Sequence, residues 1–93
     1  MADIDVTLGA DVERLFSSFE VTVTEDDGST RHTVTLSSAD FERLAGDRSP
    51  EDFIRACFDF LLEREPKGSI LPSFDVADIA TYFPEFERRI QGL

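Results

Sequence analysis

One cysteine, one lysine, one histidine, one tyrosine, one methionine and no tryptophan occur in these 93 residues. Each scarcity excludes something. Cys57 alone cannot close an internal disulfide, so the chain is not a small bridge-stapled secreted fold, and a reducing cytoplasm is the expected setting. One Cys and one His are too few for a zinc site. No run approaches the roughly 18 apolar residues that a membrane-spanning helix needs. Positive charge is also short: 9 Lys plus Arg stand against 20 Asp plus Glu, a net charge of −11. With no basic patch, nothing can neutralise a phosphate backbone, so nucleic acid is not an expected ligand. The opening Met-Ala-Asp-Ile-Asp lacks the positive start and apolar core of a signal peptide.

What is plentiful is phenylalanine, nine residues in a chain that is 41% hydrophobic. That content is too high for a disordered acidic tail. It can also partly offset the small core of so short a chain, since each Phe can bury roughly 150–250 Å². A length of 93 residues gives at most one domain, residues 1–93. Lys67 is the only lysine among the nine basic residues. Acidic excess with arginine in place of lysine suits a salt-rich cytoplasm, where charge maintains solubility, or a genome rich in arginine codons.

Residues 1–16 allow two readings. Ile4, Val6 and Leu8 alternate with polar neighbours, the period of a half-buried strand. Gly9 interrupts the alternation, and Asp11 to Phe16 could then form a short helix. The alternative is a flexible N-terminal arm. Beyond them the pattern is plain. Phe19, Val21 and Val23 alternate with Glu20, Thr22 and Thr24; after Asp26-Asp27-Gly28, His32, Val34 and Leu36 alternate with Arg31, Thr33 and Thr35. Two such runs flanking Asp-Gly predict a β-hairpin with an apolar face and a threonine-rich face.

The period then changes to helical. Ser37 with Asp40 three residues on predicts a helix start carrying Phe41 and Leu44, ended by Gly46. Ser49-Pro50-Glu51-Asp52 predicts a second start, with a serine cap and proline at the first helical position. That helix should run to about Glu65, before Pro66-Lys67-Gly68. Ile54, Cys57, Phe58, Phe60, Leu61 and Leu62 fill half its circumference or a little more, so it should lie centrally, between the hairpin and the C-terminal helices. Asp75 begins a short helix with Val76, Ile79 and Ala80. Tyr82-Phe83-Pro84 ends it, because the residue before proline avoids helical geometry. A last helix follows through Gln91, with Phe86 and Ile90 on one side. The expected fold class is α+β: an N-terminal hairpin or small antiparallel sheet packed on three to four C-terminal helices.

No catalytic, metal-binding or cofactor-binding set can be assembled. His32 lies on the apolar register of its strand and reads as a residue of the sheet margin. Cys57 lies mid-stripe, where a thiol is inert. Asp26-Asp27-Gly28 lacks calcium-loop spacing, and the acidic pairs are two residues apart, which on a helix puts them on different faces. No phosphate-binding glycine loop or nucleophile elbow occurs. Arg64 is the unusual residue: it falls inside the apolar stripe, in the last turn, where a cation complements the helix dipole. It is expected to pack on Phe and pair with Glu85 or Glu87, or otherwise to anchor a partner.

Phe58-Asp59-Phe60-Leu61-Leu62-Glu63-Arg64-Glu65-Pro66, with Ser69-Ile70-Leu71, Phe74-Asp75 and Tyr82-Phe83-Pro84-Glu85-Phe86-Glu87, resembles small acidic bacterial proteins of unknown function. The resemblance covers about residues 50–90 and implies no activity, cofactor or catalytic residue.

The function expected on these grounds is that of a non-enzymatic protein-interaction or regulatory module, needing no cofactor. Its partner would be another protein, met through Arg64, Phe74, Tyr82, Phe83 and Phe86 or through a hairpin edge that adds a strand. A homodimer through that edge would suit so small a core. Two alternatives come from other classes: an acidic neutraliser or nucleic-acid mimic that binds a basic protein, and a small enzyme or enzyme subunit using carboxylate chemistry with Arg64 or His32 assisting.

Overall fold

The chain is described by a computed structural model over residues 2–13 and 16–91. Strands β1 (Asp3–Glu13), β2 (Phe16–Glu25) and β3 (Gly28–Ser37) come first, followed by helices α1 (Ser38–Leu44) and α2 (Pro50–Leu62). A 3-10 turn over Lys67–Ser69, strand β4 (Ser73–Asp75) and helices α3 (Val76–Tyr82) and α4 (Phe86–Gln91) complete the chain. The sheet order is β1-β2-β3-β4, and the arrangement is α+β, as the sequence pattern predicts.

β2 and β3 pair antiparallel in unbroken register from Phe16↔Ser37 to Glu25↔Gly28. Asp26 and Asp27 make the turn, and the positive φ it requires falls on Gly28, at +130°, where an L side chain would be strained. Phe19, Val21, Val23, Val34 and Leu36 all point to one face and are buried. On the opposite face Thr33 donates its hydroxyl to Glu20 at 3.0 Å. The helices cover only the apolar face, giving two layers around one core.

Two expectations are corrected here. β1 is a strand through Glu13, paired antiparallel with β2 from Asp3↔Thr24 to Glu13↔Phe16. Residues 11–13 are therefore not helical, and Phe16 opens β2; Arg14 and Leu15 lie outside the described residues. Gly9 does not end the strand, because register shifts between Leu8 and Ala10 and between Ala10 and Glu13 absorb the irregularity. The hairpin's flanks are consequently taken. β1 lies along β2, and β4 pairs parallel with β3 at Thr33↔Ser73, Val34↔Phe74 and Thr35↔Asp75. Parallel pairing needs a long crossover, which α1 and α2 supply.

Local chemistry accounts for the helix ends. Ser37 and Ser49 accept the backbone N–H of Asp40 and Asp52 as N-caps, Pro50 opens α2, and Gly46 follows α1 with φ +63°. α2 ends at Leu62, one turn short of Glu65, with Glu63 as C-cap. It is the central helix: Phe53, Ile54, Cys57, Phe58, Phe60 and Leu61 are all buried. Phe58 faces the sheet, its ring 5.4 Å from His32. Phe60 faces the C-terminal helices, 5.1 Å from Phe86 and 5.9 Å from Phe83.

Candidate functional site

The segment between α2 and α3 has little regular structure, yet four tethers hold it. Ser69 N–H donates to Pro66 O at 2.9 Å, closing the 3-10 turn. Lys67, only 9% exposed, reaches the hairpin turn, with Nζ 2.6 Å from Asp27 Oδ1 and 3.4 Å from Glu25 Oε1. His32 Nδ1 donates to the Leu71 carbonyl at 2.8 Å. In the neutral ring that leaves Nε2 to accept the Thr30 hydroxyl at 2.9 Å. Thr33 N–H then donates to Pro72 O at 2.8 Å.

Asp75 fixes where α3 starts. Its carboxylate accepts the Ala77 N–H, and Asp78 accepts the Asp75 N–H, a reciprocal capping box. α3 is thereby set beside the end of α2 with an apolar groove of about 330 Å³ between them. Leu61, Ile70 and Ile79 line it as buried residues, and Phe74 and Phe83 as half-buried ones. Only four large hydrophobic side chains among the described residues stay exposed, and two of them, Leu71 at 46% and Tyr82 at 67%, stand on this rim. Among the described residues the charged groups lining it are Glu65 and Asp78, both acidic. A second depression, beside Gly46, is walled largely by the polar groups of Asp47, Arg48, Asp52 and Gln91.

Of the residues expected to meet a partner, Phe74, Tyr82 and Phe83 come together on this groove. Phe86 does not: it is 1% exposed with its ring on Phe60, so it belongs to the core. Pro84 starts a new helical direction, which turns Phe86 inward while leaving Tyr82 out. Arg64 lies behind the groove. Its guanidinium carbon is 3.7 Å from the centre of the Phe60 ring, Nη1 donates to Phe60 O at 3.3 Å, and Nε donates to Glu85 Oε2 at 3.1 Å. Glu87, the other expected acceptor, is held instead by Arg43 at 2.8 Å. Backbone hydrogen bonding and Arg64 together hold the Glu85 carboxyl below the usual range.

Leu71, Glu65 and Asp78 carry no sequence signal for a site. Leu71 could have been suspected only as an apolar residue set between Gly68 and Pro72. Cys57 is fully buried in α2; burial pushes its thiol well above its ordinary value, against a smaller downward pull from Arg48. No group of His, Cys, Asp and Glu side chains among the described residues is arranged to hold a metal ion, and no helix there is long and apolar enough to cross a membrane. No protein-family model, curated protein or solved structure matches the chain at a significant level.

Proposed function

We propose that the protein is a non-enzymatic interaction module that captures a segment of another protein in the groove between α2 and α3. The observation that carries this reading is the pairing of an apolar floor with two exposed rim residues, Leu71 and Tyr82. An exposed apolar cluster on a small protein marks a contact surface, and tyrosine is enriched among residues that dominate binding energy. Size supports a side-chain guest. Pockets for small molecules run from roughly 300 to 1,000 Å³ and bury most of their ligand. At about 330 Å³, the low end of that range, this groove suits one or two bulky side chains.

The sheet edges support a different protein over a second copy. β1 is the long edge strand, but it is blunted as edge strands usually are. Asp3 and Asp5 are exposed on it, its register shifts twice, and Arg55 Nε donates to the Ile4 carbonyl at 3.3 Å. The same reading keeps the protein in a reducing cytoplasm, where its single buried thiol needs no partner.

The test replaces Tyr82 with a photo-crosslinking phenylalanine derivative in the producing cell. The expected result is one protein crosslinked through a defined segment, with the adduct lost in the Leu71→Ser and Phe83→Asp variants. Adducts unchanged in both variants would overturn the reading.

A further inference from the structure

We infer that the guest of this groove is a cationic segment: a bulky apolar residue flanked by Lys or Arg in the partner's chain. The inference rests on the interaction reading above and adds the chemistry of the guest.

Glu65 and Asp78 are the charged groups on the groove wall. Glu65 is half-buried, follows the end of α2 and makes no side-chain hydrogen bond or ion pair among the described residues. Asp78 is exposed and accepts the Asp75 N–H through one oxygen, Oδ2. The two cations nearest in sequence to Glu65 are committed elsewhere, Arg64 to Glu85 and Phe60, and Lys67 to Asp27 and Glu25. Neither can neutralise the rim without giving up an ion pair in which it is largely sheltered from water. A guest with acidic flanks would meet two carboxylates in a chain of net charge −11. A guest with basic flanks meets two acceptors, and the field of the whole chain speeds its approach. An uncharged apolar molecule would gain the floor but neither acceptor.

Tyr82 supplies the probe. It is the only tyrosine and there is no tryptophan, so its emission reports on the rim itself. Three synthetic peptides lacking Tyr and Trp would be titrated into the full chain, each with a Leu-Phe centre and flanked by two Lys, two Ser or two Glu on either side. A fourth, Lys-flanked with a Gly-Ser centre, controls for attraction by net charge alone. The expected result is saturable change of Tyr82 emission with the Lys-flanked peptide, bound about five- to tenfold more tightly than the Ser-flanked one at low salt. That lies within the roughly two- to thirtyfold that two exposed pairs contribute, and the advantage should shrink as salt is raised. Glu65→Lys should remove most of the preference, and Leu71→Ser should weaken every Leu-Phe peptide.

Equal binding of the Lys- and Ser-flanked peptides, both weakened by Leu71→Ser, would overturn the charge inference and leave the docking reading standing. Binding of the Gly-Ser control as tightly as the Leu-Phe peptide would also overturn it, since the groove would then play no part. If no peptide altered Tyr82 but decanoate did, the groove would be a small-ligand site and both readings would fall. No response to any of these probes would likewise count against both.

Discussion

Arg64 lies over the ring of Phe60, four residues earlier on the same helix, with its guanidinium carbon 3.7 Å from the ring centre. The stack turns a charged residue into part of the wall that carries Phe83 and Phe86, both of which pack on that ring. Arg64→Ala should therefore destabilise the chain by about 1–2 kcal/mol, from loss of the cation–π contact and of stem packing. Arg64→Lys should recover little of that, because an ammonium cannot stack as a plane. Urea unfolding of the three proteins checks it; full recovery by lysine would show that the ion pair with Glu85 is the larger contribution.

Lys67 ties the segment before β4 to the tip of the β2–β3 hairpin, and the tie has a pH window. Its hydrogen bond to Asp27, and the charge behind it, hold the Asp27 carboxyl below its ordinary 3.8. The same bond raises Lys67 above its ordinary 10.5, outweighing the opposing effect of desolvation. A lowered carboxylate contributes stability above its unfolded value and loses it as pH falls through the folded one. A raised ammonium contributes below its unfolded value and loses it as pH rises through the folded one. The tie is therefore complete between about 3.8 and 10.5. Urea midpoints of the wild type and Lys67→Met should differ at neutral pH and converge as pH falls below that window. A constant difference would mean that Lys67 acts through its stem alone.

The sequence made these contacts legible to unequal degrees, for physical reasons. Ser49-Pro50, Asp75 with Asp78, and Phe83-Pro84 are local rules, satisfied within a few residues whatever the rest of the fold does. The hairpin is nearly as local. β1 was harder, because Gly9 looks like a stop until β2 is present to accommodate the register shifts beside it. β4 was illegible: three residues carry no period, and they form a strand because Thr33 and His32 hold the preceding residues against β3. Arg64 and Glu85 could be paired from the helical wheel, but Glu85 could not be separated from Glu87. Phe86 was misplaced because a Phe-Pro break leaves the next helix's direction undetermined. The groove joins three segments separated in sequence, around Leu61, Leu71 and Tyr82, so no window of residues contains it.

His32 should prove a structural residue that holds Leu71 on the rim of the groove. Its two ring nitrogens are both engaged, one on Leu71 O and one on Thr30 Oγ1, and its ring lies 5.4 Å from that of Phe58. His32→Ala leaves a cavity beside Phe58 and removes the donor to the Leu71 carbonyl, for a cost of about 2–4 kcal/mol. Thr30→Val keeps the shape and removes one hydroxyl, so about 1 kcal/mol is expected. Tyr82 emission and urea unfolding should both move in the first variant, whereas the second should shift only the midpoint. An unchanged midpoint in His32→Ala would refute the tether.

Cys57 offers a clock for opening of the core. It is fully buried among the apolar residues of α2, and burial holds the thiol in its protonated, unreactive form. A thiol-specific aromatic disulfide should therefore label the native chain only when α2 leaves the sheet. The rate in water should equal the equilibrium fraction opened multiplied by the rate for the unfolded chain. Raising urea below the transition should increase labelling in step with the unfolding constant measured by circular dichroism. Labelling much faster than that constant allows, and insensitive to urea, would mean that the centre of α2 opens locally. The floor of the groove, which includes Leu61 on the same helix, would then be less rigid than a preformed docking surface requires.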